Sequence, residues 1–375
     1  MKIAFGTTLL DKGLLGDGID GIGQYCQELL RHFASETNDL EIAPYSFGLN
    51  QSTCDAYSLP AYPSYLAKSL LRVDVKPKED QFFNGFDLIH STDQLIPIIR
   101  NKPLLATVMD TIPLSHPQFL RAQSRFFKPY LWKKLTQRAN HIITISEFSR
   151  GEIINLMGFP EEKVTAIPLG VNKTFFERVA QGEIQSTLSK FKIDKPFFLF
   201  IGSIQPRKNL KRIIAAHAAL PGDMATEFPL VIAGKLAWND ESTNTAIRNG
   251  VFEGRCIQLS YVTELEKHHL LQSALGLVFA SLYEGFGLPI LEAYASKCPV
   301  VTSNCTSMPE VSNSAAILVE PENIDSIADA MHLLINRSAT VTENIIKGYA
   351  MAQQFTWSKT TAETQKIYSL FQTHK

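Results

Sequence analysis

Short apolar runs alternate with amphipathic segments in two consecutive series, and this alternation constrains the fold more than any other feature. Alternating predicted strands and helices favour a parallel sheet with helices on both faces. Helical patterns such as residues 22–34 lie between the strands. The predicted strands of the first series are 2–6, 86–91, 104–109, 141–146 and 164–169, and those of the second are 197–202, 230–234, 255–260, 275–281, 299–303 and 315–320. The sequence therefore predicts an α/β protein built from two doubly wound units.

The chain length agrees with two units, because 375 residues correspond to two domains of ordinary size. Residues 170–195 are polar and contain no strand-like run, so we interpret them as a linker. We place the first Rossmann-like domain at 1–172, the second at 173–357, and a C-terminal helix at 358–375 that we expect to pack back toward the first domain. Doubly wound units bind ligands at the carboxyl ends of their strands, so the expected ligand site is a cleft between the domains.

The composition excludes several classes of protein. A net charge of −1, with bases and acids balanced in the first half, argues against nucleic-acid binding. The five cysteines lack a C-x-x-C spacing, which indicates reduced thiols rather than a disulfide framework or a zinc site. The N-terminus lacks the apolar run of a signal peptide, and no stretch reaches the ~18 apolar residues of a spanning helix. We expect a cytoplasmic protein, for which docking on a membrane surface stays open.

The most informative segment is residues 279–301, where a strand, a glycine-rich turn and a helix follow one another. Glu284 stands at the mouth of the strand, and Glu292 is expected in the first turn of the helix. Glycines let backbone N–H groups approach a ligand, and a helix N-terminus attracts anions. Carboxylates on both sides of such a site suit the hydroxyls of a sugar and a ribose flanking a diphosphate. A capped helix with Glu292 offsetting its dipole explains the same spacing equally well.

A second segment, residues 197–217, places Arg207 and Lys208 between a predicted strand and a predicted helix. A guanidinium fork and an ammonium beside a helix N-terminus form a phosphate clamp. The alternative is a pair of solvated surface charges.

A third segment carries Gly18, Gly21 and Gly23, which precede a predicted helix after the first strand. Their spacing is a loose relative of the dinucleotide-binding pattern and lacks its full form. A flexible loop with close helix packing explains these glycines as well.

Taken together with these motifs, the sequence resembles the retaining GT-B glycosyltransferases of family 4, which include many bacterial mannosyltransferases. The resemblance covers nearly the whole chain, and its most specific parts are EGFGLPILE at 284–292 and IGSIQPRKNL at 201–210. Further segments that read like the family are ITISEFSRGEI, IPLGVN, VIAGKLAW, SNCTSMPEV and FTWSKT. The resemblance implies a GT-B fold, in which two Rossmann-like domains face each other across a cleft, and a nucleotide-diphosphate sugar as donor.

The resemblance also implies roles for single residues. Glu292 would bind the donor ribose, and Glu284 would contact hydroxyls of the transferred sugar. Arg207 and Lys208 would hold the diphosphate. The other donor contacts would come from backbone amides of Phe286, Gly287 and Leu288, from Gly21 and Gly23 across the cleft, and from Tyr261 and Val262 near the base.

One position departs from the family pattern. A His-Asp pair is common after a strand of the first domain, and here Met109 stands where the histidine would be, with Asp110 retained. Methionine cannot donate a hydrogen bond to a hydroxyl. Either another group positions the sugar, or the activity is reduced. Met109 is also the feature that favours a second hypothesis, a degenerate transferase that supports an active enzyme.

The resemblance favours transfer of a hexose, with GDP-mannose as the preferred donor and a saccharide or lipid-linked saccharide as acceptor. Assembly of a bacterial polysaccharide or of lipopolysaccharide O-antigen is the expected context. A UDP-sugar donor is the alternative. The DXD-like stretch from Asp17 to Asp20 has the wrong spacing for a metal site, so we expect no metal and no cofactor.

Residues 121–138 hold six basic side chains and no acid, with aromatic residues interleaved. Such a segment suits an anionic membrane surface. The favoured interpretation is a helix whose aromatic side chains pack inward while its bases face water. Pro129 interrupts any single long helix there.

Overall fold

The computed structural model describes residues 1–16, 18–35, 40–49, 53–70, 82–120, 125, 127–238 and 240–372. These residues fall into two compact units. The first comprises Met1–Gly170 together with Trp357–Lys375, and the second comprises Val171–Thr356. None of the helices in the described ranges is long and apolar enough to cross a membrane.

The first unit is built on a seven-stranded parallel sheet in the order β3-β2-β1-β4-β5-β6-β7. Its strands are β1 Lys2–Gly6, β2 Glu41–Phe47, β3 Tyr57–Leu59, β4 Leu88–Ser91, β5 Leu104–Thr107, β6 His141–Thr144 and β7 Val164–Ala166. Its helices are α1 Thr8–Leu15, α2 Gly21–Ser35, α3 Tyr62–Leu70, α4 Ile112–Ser115, α5 Phe127–Thr136, α6 Glu147–Glu152, which continues as a π-helical turn Ile153–Met157, and α16 Trp357–Ser369. The chain order reverses between β1 and β4, which makes the carboxyl ends of these two strands neighbours.

Strands β2 and β3 were not predicted, and their composition explains why. The sequence of β2 contains Pro44, which has no N–H to donate to a neighbouring strand. The structure accommodates it because β3 pairs only with Tyr45–Phe47, so β2 is an edge strand at Pro44. Since β3 has only three residues, its pattern is too short to recognise in the sequence.

The C-terminal helix α16 packs against α2 within the first unit. A buried hydrogen-bond chain fastens it: Nδ1 of His90 lies 2.8 Å from the Tyr368 hydroxyl, and Nε2 lies 2.8 Å from Oγ1 of Thr107. Burial lowers the pKa of His90 to about 3, so the ring is neutral at ordinary pH. His90 therefore has a structural role.

The second unit is built on a six-stranded parallel sheet in the order β10-β9-β8-β11-β12-β13. Its strands are β8 Phe198–Ile201, β9 Leu230–Ala233, β10 Cys256–Leu259, β11 Gly276–Phe279, β12 Val300–Ser303 and β13 Ile317–Val319, so all six predicted strands are present. Its helices are α7 Gln181–Lys190, α8 Leu210–Ala218, α9 Met224–Glu227, α10 Glu241–Phe252, α11 Glu264–Ser273, α12 Leu288–Ala295, α13 Met308–Ser312, α14 Ile324–Ile335 and α15 Ala339–Ala352. The chain order reverses between β8 and β11, which brings the loops after these two strands together.

The interpretation of residues 170–195 as a linker was wrong. The segment contains the 3₁₀ turn Lys173–Phe176 and helix α7, which packs on α11 within the second unit. Helix α7 was missed because its mean hydropathy is low and only Ile184 and Thr187 are buried. The second unit therefore begins at Val171, within the segment that was interpreted as a connection.

Candidate functional site

The site lies where the chain order of the second sheet reverses, at the carboxyl ends of β8 and β11. Open α/β sheets bind ligands at this position because the loops there diverge and leave a crevice. Gly234, after β9, has no room for a side chain, since a Cβ atom there would lie 1.9 Å from the carbonyl oxygen of Gly202. Close approach of these two backbones holds the loop after β8 against the sheet.

The loop after β8 presents Arg207 and Lys208 on a 3₁₀ turn, Pro206–Lys208, just before α8. Asn209 follows in the left-handed conformation with φ 59°. Its side-chain amide donates to the carbonyl oxygen of Ala280 at 2.9 Å and so ties the turn to the end of β11. The amide of Leu282 donates to the carbonyl oxygen of Arg207 at 2.7 Å, so backbone contacts fix the two loops together.

Glu284 lies between the two cations. Its Oε2 accepts from Nη1 of Arg207 at 2.8 Å, and its Oε1 lies 2.6 Å from Nζ of Lys208. The Lys208 ammonium also lies 4.6 Å from the ring centroid of Phe279. The side chains of Lys208 and Glu284 are 8% and 9% exposed, so this ion-pair triad is largely shielded from water, which strengthens its electrostatics.

Burial and the charges of the triad shift the pKa values of Glu284 and Lys208. Burial alone would raise the pKa of the Glu284 carboxyl, but the Arg207 and Lys208 cations outweigh burial and hold it at about 2. Burial lowers the pKa of the Lys208 ammonium to about 8, against the opposing attraction of Glu284. The site therefore holds a carboxylate and two cations at neutral pH, with a net positive charge.

The glycine-rich turn after Glu284 leads into α12. Gly287 adopts φ 107°, a conformation that favours glycine, and precedes the first helical residue. The Ser307 hydroxyl donates to the carbonyl oxygens of Glu284 and Phe286, both at 2.9 Å, and so fixes the turn. Within the described part of the chain, no acceptor binds the amide N–H groups of Phe286, Gly287 or Leu288. Such N–H groups at a helix N-terminus can bind an anion.

Glu292 is the fifth residue of α12, not a residue of its first turn as the sequence indicated. It is 2% exposed, and its Oε1 lies 2.5 Å from Nζ of Lys267 on α11. The ammonium of Lys267 also lies 5.0 Å from the ring centroid of Phe175. Sequence reasoning missed Lys267, and nothing in the pattern around it identifies it, because its partners lie 25 and 92 residues away.

Tyr261 and Val262 follow β10, as predicted. Tyr261 is 54% exposed, and Nζ of Lys235 lies 5.1 Å from the centroid of its ring. Val262 is half-buried. An exposed aromatic ring beside the strand ends is a suitable surface for a flat base.

In the first unit, Gly21 and Gly23 do not precede the helix, because α2 begins at Gly21 and contains both. The amide of Gly23 donates to Oδ1 of Asp20 at 2.8 Å, so this carboxylate caps α2. A Cβ atom on Gly21 would meet nothing within 4 Å, which leaves its backbone open to approach. The stretch from Asp17 to Asp20 begins outside the described residues.

Met109 and Asp110 follow β5 in the first unit, and both are half-buried. The carbonyl oxygen of Met109 accepts from the Ser149 hydroxyl at 3.2 Å. Oδ1 of Asp110 accepts from the amide of Ile112 at 3.1 Å. Met109 is therefore not a fully buried core residue.

The expected inward packing of the aromatic residues in 121–138 was wrong for two of them. Phe127 is 71% exposed and Tyr130 is 58% exposed, whereas Trp132 is buried as expected. Both exposed rings project from α5, where the ammonium of Lys134 lies 5.5 Å from the ring centroid of Tyr130. Residues 121–124 and 126 lie outside the described ranges.

Among the residues that the structure describes, no three His, Cys, Asp or Glu side chains are grouped so that they could hold a metal ion.

Two Rossmann-like units, each built on a parallel sheet, match the GT-B fold of solved glycosyltransferase structures. The solved structure of Anabaena Alr3699/HepE in complex with UDP-glucose aligns over 98% of this chain and 99% of its own, with a TM-score of 0.78 and 17% identity. WaaG, a glycosyltransferase involved in lipopolysaccharide biosynthesis, aligns over 97% of this chain and 99% of its own, with a TM-score of 0.74 and 12% identity.

Sequence comparisons identify the family. The model for glycosyl transferases group 1 matches residues 183–350, and that for Glycosyltransferase Family 4 matches residues 19–175. The two models together cover most of the chain, which therefore belongs to the glycosyltransferases that they describe. The O-antigen chain mannosyltransferase B of Escherichia coli is 28% identical over 99% of this chain and the whole of its own length. The O-antigen chain mannosyltransferase RfbU of Salmonella typhimurium is 26% identical over 66% of this chain and 68% of its own.

Proposed function

We propose that the protein is a retaining mannosyltransferase of the cytoplasm that transfers mannose from GDP-mannose to a saccharide hydroxyl during O-antigen or related polysaccharide assembly. The observation that carries this proposal is the triad of Arg207, Lys208 and Glu284 at the sheet reversal. Similarity over the full length to an O-antigen mannosyltransferase supports mannose as the sugar.

The triad suits cleavage of a glycosyl–phosphate bond. The departing diphosphate gains negative charge as the bond breaks, and only interactions that strengthen in the transition state accelerate the step. Arg207, Lys208 and the amides at the start of α12 supply fixed positive potential in a partly dehydrated site. Glu284 holds both cations in place and presents carboxylate oxygens to the hydroxyls of the transferred sugar.

The proposed reaction forms a bond between the acceptor oxygen and the anomeric carbon on the face from which the diphosphate departs. The acceptor proton passes to the leaving phosphate, so no protein base is required. In this scheme Glu292 binds the donor ribose, and the exposed ring of Tyr261 lies near the base. Positive side chains take over the electrostatic role that a metal has in other transferases, so we propose that the reaction needs no metal.

A panel of sugar nucleotides tests the proposal. The purified protein is incubated with GDP-mannose, GDP-fucose, UDP-glucose and UDP-galactose, each with and without a mannose-terminated acceptor, and release of nucleoside diphosphate is measured. Release from GDP-mannose alone among the four, with retained anomeric configuration in the product, is the expected result. Release from a UDP-sugar would replace the donor, and no release from any donor on any acceptor would favour a degenerate partner subunit.

We also propose that the α5 surface docks on an anionic membrane beside a lipid-linked acceptor. The supporting observation is the exposure of Phe127 and Tyr130 next to Lys134 on one helix. Aromatic rings insert at the lipid headgroup level while lysines attract anionic lipids, and the two effects add.

Vesicle sedimentation tests this contact. We expect the protein to sediment with vesicles of phosphatidylcholine and phosphatidylglycerol but not with phosphatidylcholine alone. A variant with Phe127→Ser and Tyr130→Ser should lose this binding. Phe252→Ser is the matched control, because Phe252 is 92% exposed on α10 of the second unit. Equal sedimentation of the double variant and the wild type would contradict the proposal.

A further inference from the structure

Glu292 does not stand alone in its site. Oε1 lies 2.5 Å from Nζ of Lys267, and the two side chains are 3% and 17% exposed. Buried ion pairs contribute little to stability, because the cost of dehydrating both charges offsets their attraction. The pair is thus poorly explained by stability alone, and its position beside the proposed donor site suggests a role in binding.

Lys267 is held rigidly. Its ammonium lies 5.0 Å from the ring centroid of Phe175, which is fully buried. The Phe175 and His268 rings pack edge to face, with centroids 5.3 Å apart. Helix α11 is itself fixed at its start by a capping box between Thr263 and Glu266. The ammonium therefore has a defined position from which it can orient a carboxylate.

The contact divides the two oxygens of Glu292 into different roles. Oε1 is bound by Lys267, whereas no described residue donates a hydrogen bond to Oε2. We propose that Lys267 is a positioning residue of the ribose subsite, which holds Oε1 of Glu292 so that Oε2 accepts one ribose hydroxyl of the donor. This inference rests on the proposed function, in which Glu292 binds the ribose.

The geometry has a consequence for ribose recognition. A carboxylate that is aimed at one hydroxyl distinguishes a ribose from the corresponding deoxyribose, because charged hydrogen bonds are stronger than neutral ones. Without Lys267, the carboxylate loses its orientation and takes whichever partner is nearest. Affinity for the ribose form should then fall to that of the deoxy form, while affinity for the deoxy form stays unchanged.

Calorimetric titration tests the proposal with GDP and UDP and with the 2′-deoxy and 3′-deoxy forms of each. Wild-type protein should bind its preferred nucleotide about tenfold or more tighter than one of the two deoxy forms. Lys267→Met should remove most of that difference, and Lys267→Arg should retain part of it. Lys190→Met is the matched control. Lys190 pairs with Glu266, which lies on α11 next to Lys267, but Lys190 itself lies outside the site.

The outcomes separate this inference from the proposed function. If Lys267→Met discriminates between ribose and deoxyribose as the wild type does, Lys267 only packs and the inference is wrong. If Glu292→Gln also keeps full discrimination, the assignment of the ribose to Glu292 fails as well. Melting temperatures are measured for every variant. If Lys267→Met does not fold, Lys267→Gln replaces it, because glutamine keeps a neutral donor to Oε1. Lys267→Gln should discriminate less than the wild type between ribose and deoxyribose, and unchanged discrimination overturns the proposal.

Discussion

Nζ of Lys208 lies 2.6 Å from Oε1 of Glu284, and the two side chains come from loops that follow neighbouring strands of the second sheet. Arg207 binds the other oxygen of the same carboxylate at 2.8 Å. The residues expected to hold a diphosphate therefore already share an anionic partner. A bound diphosphate would join this network as a second anion, and the net positive charge of the triad favours its entry.

The two cations should respond differently to substitution. Arg207→Ala should lower turnover about a hundredfold, because it removes one charge-assisted donor to the developing charge and so raises the activation free energy by about 3 kcal/mol. Its side chain is 20% exposed and Lys208 still pairs with Glu284, so the melting temperature should fall less than in Lys208→Ala. Lys211→Ala, an exposed change on α8, is the matched control. Near-normal turnover in Arg207→Ala would contradict the clamp.

Lys208→Ala should lower both turnover and stability. The Lys208 side chain is 8% exposed, and its removal deprives a buried carboxylate of one partner. Breaking a buried pair costs about 3–5 kcal/mol, and the lower value applies here because Arg207 remains. Denaturant unfolding of the variant beside Arg207→Ala measures the difference. Equal stability of the two variants would indicate that the Lys208 contact is not buried in solution.

The free energy of unfolding should depend on pH through the Glu284 carboxyl. Its pKa in the folded protein is about 2, against a usual value of 4.5, so folding favours the ionised form. The resulting stabilisation, about 3 kcal/mol at most, is present above pH 4.5 and is lost as the pH falls toward 2. The difference in unfolding free energy between wild type and Glu284→Gln should therefore shrink across this range, measured by denaturant titration at several pH values. A constant difference would exclude an ion-paired Glu284.

The two carboxylates of the motif should separate kinetically. Glu292→Gln should weaken binding of the nucleoside diphosphate, because a ribose contact is shared by ground and transition states. Glu284→Gln should mainly lower kcat, because its contact with the reacting sugar changes as the bond breaks. Calorimetry and initial rates on both variants provide the comparison. The assignments would have to be exchanged if Glu284→Gln lost affinity at unchanged kcat.

Met109→His should preserve activity or raise it. Met109 is half-buried, so an imidazole can reach solvent or a sugar hydroxyl rather than lose its hydrogen bonds in the core. A thermal melt and a turnover assay on this single variant give the answer. A large fall in melting temperature with unchanged turnover per folded molecule would show that Met109 is packing and that its alignment with the family histidine is wrong.

The sequence was sufficient for the features that depend on neighbours along the chain. Apolar runs and their spacing predict five of the seven strands of the first sheet and all six of the second. The sequence around Gly287 predicts the order strand, turn and helix that the structure shows, because a glycine-rich turn after a buried strand has few conformations. Edge strands such as β3 escaped because they bury little and are short.

Tertiary structure alone decided which side chains meet. Glu284 meets Arg207 and Lys208 because β11 lies beside β8 in the sheet. Lys267 meets Glu292 because α11 packs against α12. The exposure of Phe127 was equally hidden, because a helical pattern does not say which face its neighbours cover. Local sequence determines backbone conformation over a few residues, whereas these contacts depend on strand order and on partners far along the chain.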